Sequence, residues 1–159
     1  MKKQPNSRMC FICGRQNPVG LHLDFYEDHE SHPKQVYAEI VIPDEYQGYP
    51  GVAHGGILAA ILDEVAGRAV LIDGTPEDLM VTLKMELRYR LPTPTERPLT
   101  GVGWVTQQRG RRARAHGELR LPDGRVSVEA ELVLASPPDE FADVWEEEKP
   151  FWKVYPEQG

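Results

Sequence analysis

The sequence is poor in cysteine, has no excess of positive charge and lacks a long apolar run, and each absence excludes a class of protein. Two cysteines are too few for a scaffold held by disulfides. A formal net charge of -7 argues against general nucleic-acid binding. The longest apolar stretch, residues 57–72, is interrupted by Asp63, Glu64 and Arg68 and is too short and too charged to span a bilayer. The basic N-terminus lacks the apolar segment of a signal peptide, so a cytoplasmic location is expected by default.

The net charge conceals an uneven distribution along the chain. Residues 84–125 contain ten of the eighteen Lys and Arg side chains but only four of the 25 Asp and Glu side chains. A basic segment inside an acidic protein indicates a local anionic ligand rather than an anionic polymer.

The 159 residues suffice for one domain with its own core, and their pattern predicts an α+β architecture over residues 19–136. Apolar residues at helical spacing predict one long, largely buried helix over residues 54–72, which residues 73–76 (Asp-Gly-Thr-Pro) end. We expect a sheet of about six mainly antiparallel strands that curves around this helix. The alternating segments that predict strands are residues 20–26, 35–42, 79–91, 99–108, 112–121 and 125–134.

Two flanking segments differ from this domain. Residues 1–18 contain Pro5, Gly14 and Pro18 and show no periodicity, which is typical of an irregular arm. Residues 137–159 begin with a run of acids and continue with Phe151 and Trp152, so we expect a loosely docked or disordered acidic and aromatic extension.

Asp63 is the first candidate for chemistry, because it lies in the middle of the helix that is predicted to be buried. An isolated buried carboxylate is costly and needs a partner or a purpose. The residues three and four positions away are all small, which leaves room for a ligand channel: Ala59, Ala60, Ala66 and Gly67. The alternative is that Asp63 is a partly exposed helix residue. For Glu64 the simpler interpretation is a surface ion pair with Arg68, four residues on.

Gly55 and Gly56 lie at the start of the predicted helix. Unpaired backbone N–H groups at a helix start can polarise a carbonyl, and glycine lets a substrate approach the backbone closely. Eight residues of helix separate Gly55 from Asp63, a rise of about 12 Å. One chain therefore cannot easily place both groups on the same atom, and a second subunit would solve this. The alternative is that the glycines simply form a loop.

An ordered set of motifs spans about residues 10–135 and resembles a known family. The most specific motif is a His-Gly-Gly sequence with an acid nine residues after the histidine. The motifs are Cys10-Phe11-Ile12-Cys13-Gly14, Asn17-Pro18-Val19-Gly20-Leu21, Gly48-Tyr49-Pro50-Gly51-Val52, His54-Gly55-Gly56, Val81-Thr82, Arg88-Tyr89-Arg90-Leu91-Pro92 and Gly110-Arg111-Arg112. Together they resemble the hotdog-fold acyl-CoA thioesterases, in the branch typified by the phenylacetate-pathway enzyme.

The resemblance implies a role for several residues. Asp63 matches the catalytic acid, which acts as nucleophile or as general base on water, and the N–H of Gly55 matches the group that polarises the thioester carbonyl. His54 matches the residue that shapes this turn, and Thr82 matches a position that orients water or substrate. The family forms homodimers or homotetramers with sites at the subunit interface. No metal or cofactor is implied, and CoA enters only as part of an acyl-CoA substrate.

One position departs from the family pattern. Many relatives carry Asn or Gln six residues before the histidine, where it helps to place the carbonyl or the water, whereas this chain has Gly48. Gln47 is adjacent and is a possible substitute. This departure keeps a second hypothesis open: a non-catalytic hotdog protein that binds acyl-CoA or another apolar ligand.

The basic segment offers groups for the phosphates of CoA, since Arg binds phosphate by paired hydrogen bonds. The candidates for binding the substrate or CoA are Gly56, Arg90, Arg109, Arg111 and Arg112. The alternative is that arginines in alternation on a strand form a solvated outer face.

Cys10 and Cys13 have the spacing of half a zinc site, which His22 and His32 could in principle complete. There is no second cysteine pair, so a packed arm over the core is favoured and no metal is expected. A zinc-dependent interaction protein, using the arm and the acidic extension, is the third hypothesis.

Overall fold

The computed structural model describes residues 1–75 and 78–156. Its seven strands form one antiparallel sheet in the order β1-β2-β3-β5-β6-β7-β4. Pro76, placed at the end of the predicted helix, and residues 157–159 of the predicted extension lie outside the described residues. The strands are β1 (Lys2–Lys3), β2 (Tyr26–Asp28), β3 (Gln35–Val41), β4 (Val81–Tyr89), β5 (Pro98–Arg109), β6 (Arg112–Arg120) and β7 (Val126–Ala135), and the helices are α1 (Gly55–Gly67) and α2 (Phe141–Glu148).

The sheet curves around α1, and this confirms the predicted α+β class and hotdog fold. Alternate residues of β3 face the helix, and Val36, Ala38 and Ile40 are almost completely buried. Helix α1 presents Ile61, Leu62 and other apolar residues to the same core. Burial of this apolar stripe against one face of the sheet is what holds the helix in place.

Helix α1 lies unusually close to the middle of the sheet because two strand positions there are glycine. A Cβ placed on Gly103 of β5 would lie 2.5 Å from the carbonyl oxygen of Val65, and one on Gly117 of β6 would lie 3.1 Å from the Cβ of Ala66. A strand glycine commonly marks such a close approach of another backbone.

The predicted helix over residues 54–72 consists of two parts. Helix α1 ends at Gly67, and a 3-10 turn, Arg68–Leu71, continues it. At the other end His54 caps α1, because its Nδ1 accepts the N–H of Gly56 at 2.9 Å.

The first predicted strand is wrong in position. Residues 20–25 do not join the sheet, and β2 begins only at Tyr26. The N–H groups of Leu21 and Leu23 instead donate to the carbonyl oxygens of Phe11 and Ile12 in the N-terminal segment. His22 between them has a φ of 54°, which an extended strand does not allow. The alternation of leucines there reflects packing under the N-terminal segment.

Strand β4 is the edge of the sheet, hydrogen-bonded only to β7 among the described strands. The strict alternation predicted over residues 79–91 is broken by a bulge between Thr82 and Lys84, where the register with β7 shifts. Leu83, at the bulge, and Tyr89 are each 53% exposed. This edge therefore offers free backbone groups and exposed apolar side chains.

The two flanking segments pack against each other on the outside of the domain. The arm contributes β1 to the sheet, and Asn6 forms an isolated bridge with Lys153. In the C-terminal segment α2 is followed by Trp152, whose ring lies 5.5 Å from that of Trp145. No helix of the described residues is long and apolar enough to cross a membrane.

Candidate active site

Asp63 lies on the face of α1 that points towards the start of β4. Its side chain is half-buried, and its Oδ1 accepts a hydrogen bond from the Thr82 hydroxyl at 2.7 Å. Its Oδ2 has no hydrogen-bond partner in residues 1–75 and 78–156. The two side chains line a cleft of about 410 Å³, together with Glu64, Gly67, Arg68, Leu71, Leu79, Met80, Val81 and Trp152. The carboxylate is thus held at one oxygen and accessible at the other.

The small residues around Asp63 do not all face this cleft. Gly67 lines it, as expected. Ala66, about 60° around the helix from Asp63, is completely buried and faces Gly117 of the sheet. The predicted channel beside Ala66 is therefore wrong.

The start of α1 forms a second polar feature. The N–H of Gly56 is occupied by the His54 ring, whereas the N–H of Gly55 has no acceptor in the part of the chain that the structure describes. The Tyr89 hydroxyl donates to the Gly55 carbonyl oxygen at 2.8 Å, and the Tyr89 ring lies against Gly55. Of the two glycines, Gly55 is the one with a free donor for an anion or a carbonyl oxygen.

One chain keeps these two features apart. Gly55 lines a different cleft, of about 340 Å³, with Leu58, Tyr89, Arg90 and other residues. Thr82 contacts Asp63 at the start of β4, and Tyr89 contacts Gly55 at its end, seven residues or about 23 Å of strand away. The Asp63 carboxylate and the Gly55 N–H group therefore lie at opposite ends of the same edge strand.

The comparisons with known proteins agree with this fold. The family model of the thioesterase superfamily matches residues 50–128, which include α1, β4, β5 and β6. The chain belongs to the thioesterase superfamily. A comparison with curated proteins finds no match.

Solved structures of thioesterase superfamily members are similar. One such protein is 30% identical with a TM-score of 0.72; the match covers 80% of this chain and 63% of that chain, less than two thirds of its length. A hypothetical thioesterase from Streptococcus pneumoniae TIGR4, crystallised with coenzyme A, is 20% identical (TM-score 0.62, coverage 72% and 85%). A phenylacetic acid degradation-related protein from Ralstonia eutropha JMP134 is also 20% identical (TM-score 0.61, coverage 70% and 83%).

In this thioesterase-superfamily chain the four candidate arginines are not gathered in one place. Arg109, Arg111 and Arg112 are exposed around the β5–β6 turn, whose Gly110 has a φ of 56°. Arg112 lies opposite Ala135 of β7, which in turn lies opposite Val81, so this group sits at the Asp63 end of the sheet. Arg90 lies at the Gly55 end and pairs with Glu129 at 2.7 Å.

Gly48, six residues before His54, is the position that departs from the family pattern, and it lies in the loop before the His-Gly-Gly motif. Gly48 lies against His54, and a Cβ there would be 3.4 Å from the His54 Cα. The Gln47 side chain accepts the N–H of Gly51 at 3.3 Å within its own loop. The Gln47 side-chain oxygen is thus engaged by the backbone of its own loop.

The interpretation of Glu64 and Arg68 as a surface pair is wrong. Arg68 is only 4% exposed, and its Nε donates to Glu64 Oε1 at 2.7 Å. Its guanidinium lies over the rings of Phe25 and Trp152, at 4.4 and 5.2 Å. The arm and the C-terminal segment bury the pair, and helical spacing alone carries no signal of that cover.

Two residues of the clefts were not identified from the sequence. In the sequence analysis Tyr89 stands only within the motif Arg88-Tyr89-Arg90-Leu91-Pro92, with no role of its own, and Trp152 only in the C-terminal extension. Each reaches its cleft from far along the chain, so no local pattern reveals it.

Three clusters of the described residues could hold a metal ion by the positions of their donor atoms. Two contain only carboxylates and imidazoles: Glu27, His29 and Asp73, and His116, Glu118 and Glu129. The third joins Cys10 and Cys13 to Glu64. Both cysteines are free, and the hydrogen bond from Cys10, supported by the nearby Arg68, lowers the pKa of Cys13 to about 7.

Proposed function

We propose that the protein is a homodimeric thioesterase that hydrolyses an acyl-CoA to the free acid and CoA. The observation that carries the proposal is the carboxylate of Asp63, held by Thr82 at one oxygen and open to a cleft at the other. Membership of the thioesterase superfamily and the CoA-containing structure of a distant neighbour support it.

The position of β4 explains how two chains would build one site. A sheet edge with free N–H and C=O groups can pair with a second copy of itself. Antiparallel pairing about Met85, the middle of β4, places the start of one strand beside the end of the other. Asp63 of one subunit then lies near the partner's Gly55, which one chain cannot achieve. The pairing would also cover Leu83 and Tyr89, which are exposed in the single chain.

The chemistry follows from these two groups. Asp63 takes a proton from water, which attacks the thioester carbon, or it attacks that carbon itself. The Gly55 N–H at the helix start stabilises the negative charge that develops on the carbonyl oxygen. The C–S bond then breaks, and the CoA thiolate leaves and takes up a proton, which on the first route is the one that Asp63 removed from water. On the route of direct attack the acyl group remains on Asp63 as an anhydride, and water then hydrolyses this anhydride to the free acid and restores the carboxylate. Thr82 keeps the carboxylate oriented so that Oδ2 faces the reacting atoms.

The same pairing would unite the basic groups. Arg90 lies at the Gly55 end of a chain and Arg109, Arg111 and Arg112 at the Asp63 end, so the dimer brings Arg90 of one subunit towards the turn of the other. Phosphates of CoA are suitable ligands for such a group of guanidinium ions.

Thiol release from short, long and aromatic acyl-CoAs tests the proposal. We expect the Asp63→Asn variant to lose roughly a hundredfold or more in kcat/KM, while Asp139→Asn, an exposed aspartate of the C-terminal segment, keeps wild-type activity. Sedimentation should show a dimer. Equal activity of the wild type and Asp63→Asn, or inactivity of the wild type on the whole panel, would contradict the proposed reaction.

One observation favours a second candidate function. Because Gly48 has no side chain and Gln47 is engaged within its loop, the site lacks an amide that helps to place carbonyl or water. A non-catalytic protein that binds acyl-CoA would show thermal stabilisation by acyl-CoA without release of thiol.

A further inference from the structure

The N-terminal segment turns sharply at Cys10 and Cys13 and directs both thiols towards α1. The Gly14 N–H donates to the Cys10 carbonyl oxygen at 2.7 Å, and the Ile12 N–H donates to the Cys10 sulfur at 3.4 Å. A Cβ on Gly14 would lie 2.4 Å from the Cys10 carbonyl oxygen, so only glycine fits this turn. An N–H directed at a sulfur stabilises the thiolate form that binds metals.

Glu64 brings a third donor from a different element. Its Oε2 lies 3.8 Å from the Cys10 sulfur, and one donor atom from each of Cys10, Cys13 and Glu64 lies within 4.8 Å of the others. Two ligands of one tetrahedral zinc ion, with bonds of about 2.3 Å to sulfur and 2.1 Å to oxygen, are about 3.6 to 3.8 Å apart. The distance between Cys10 and Glu64 matches this spacing, and the other two distances lie within 4.8 Å, so the three donors are close enough to share one ion.

The charges around the cluster also favour a bound cation. Two thiolates and a carboxylate carry three negative charges, and the buried Arg68 supplies one positive charge. Arg68 Nε holds the other oxygen of Glu64 at 2.7 Å, and its Nη2 is buried without a hydrogen-bond acceptor among the described residues. A divalent cation would neutralise the remainder, with Arg68 orienting a ligand from behind as outer groups of metal sites do.

We propose that Cys10, Cys13 and Glu64 bind a zinc ion that fastens the N-terminal arm to α1. Soft thiolates with one carboxylate favour zinc over magnesium or calcium. A disulfide between the two cysteines is the rival use of the pair, but it would need neither Glu64 nor the buried guanidinium. Glu64 and Arg68 also line the Asp63 cleft, but the zinc site uses no atom of Asp63 and does not depend on the proposed thioesterase function.

The first experiment measures metal in the full chain purified with reductant. We expect about one zinc per chain and, after chelation and replacement by cobalt, a thiolate-to-cobalt charge-transfer band in the near ultraviolet. Metal-free protein should melt at a lower temperature and be cut faster by protease within residues 1–18, since metal binding contributes directly to folding.

Substitutions of Cys10, Cys13 and Glu64 test whether each side chain is a zinc ligand. Cys10→Ser and Cys13→Ser should abolish stoichiometric zinc binding, and Glu64→Gln, which keeps both thiols and the side-chain shape, should weaken it roughly tenfold or more. Glu147→Gln, an exposed residue of α2, is the matched control and should bind as the wild type does.

Several results would overturn the proposal. The reduced wild type would take up no zinc, or its cobalt derivative would lack the thiolate-to-cobalt band. Zinc binding that persists in Cys10→Ser or in Cys13→Ser would also contradict it. A Cys10–Cys13 disulfide that forms in air, with no metal uptake after its reduction, would assign the pair to redox chemistry instead. Because the cobalt spectrum uses the wild type, the test holds even where a cysteine variant fails to fold.

Discussion

Asp63 and Glu64 are adjacent acids on one helix, yet their surroundings have little in common. Asp63 faces a cleft and has one hydroxyl partner from the edge strand. Glu64 lies at the edge of the same cleft and faces the arm, where Arg68, two thiols and aromatic rings contact it or lie close to it. A helix turns by about 100° per residue, so neighbours in sequence belong to different faces. One carboxylate is thus open to a cleft, where we propose that it reacts, and the other contacts the segments that flank the domain.

The largest expected effect concerns the pair of Glu64 and Arg68, which contacts the flanking segments. Arg68→Met removes the cation beside Glu64 and leaves a carboxylate without its buried partner, so we expect the free energy of unfolding to fall by about 3–5 kcal/mol. Urea denaturation measures this. Arg97→Met, at an exposed arginine outside β4, should change stability by less than about 0.5 kcal/mol. If Glu64→Gln is added to Arg68→Met, part of the loss should return; a purely additive result would show that the two charges are not coupled.

A smaller effect concerns the proposed catalytic role of Asp63. Thr82→Val keeps the side-chain shape but removes the hydroxyl that holds Asp63 Oδ1. We expect kcat/KM for acyl-CoA hydrolysis to fall roughly tenfold, as one hydrogen bond to a charged group is lost, while stability changes little. Thr82→Ser retains the donor and should restore most of the rate. Equal rates for the valine and serine variants would mean that the contact does not position the carboxylate.

The smallest expected effect concerns the place where the two environments meet. Trp152 contacts the Arg68 guanidinium and also lines the Asp63 cleft. Trp152→Ala should enlarge the cleft and shift the ratio of kcat/KM values towards longer acyl chains by roughly threefold or more. Phe141→Ala, an exposed aromatic of α2, serves as the control. An unchanged chain-length profile would place the acyl group elsewhere.

The local parts of the fold could be predicted from the sequence, and the parts made by distant segments could not. Alternation identified β3, β5, β6 and β7 because one face of each strand is buried in the core. Residues 20–26 also alternate, but their backbone pairs with the arm rather than the sheet. Periodicity reports which side chains are buried and does not report which backbone accepts their hydrogen bonds.

The candidate site likewise has one part that the sequence predicts and another part that it does not predict. The Gly55 and Asp63 positions follow from one motif on one helix, and their separation follows from helix geometry. The buried state of Arg68 and the reach of Trp152 depend on segments about 60 to 85 residues away in the chain. Such contacts arise from tertiary packing, which a single sequence does not encode in any local spacing.

Gly103 of β5 has a consequence for the Asp63 carboxylate although it does not line the cleft. Its missing side chain lets the backbone of Val65 settle on the sheet, and Val65 is two residues from Asp63 on the same helix. A methyl group at this position would act as a spacer beneath the helix and lift the carboxylate away from the Thr82 hydroxyl. The depth at which the helix rests on the sheet thus sets the distance between Asp63 and Thr82 from the far side of the core.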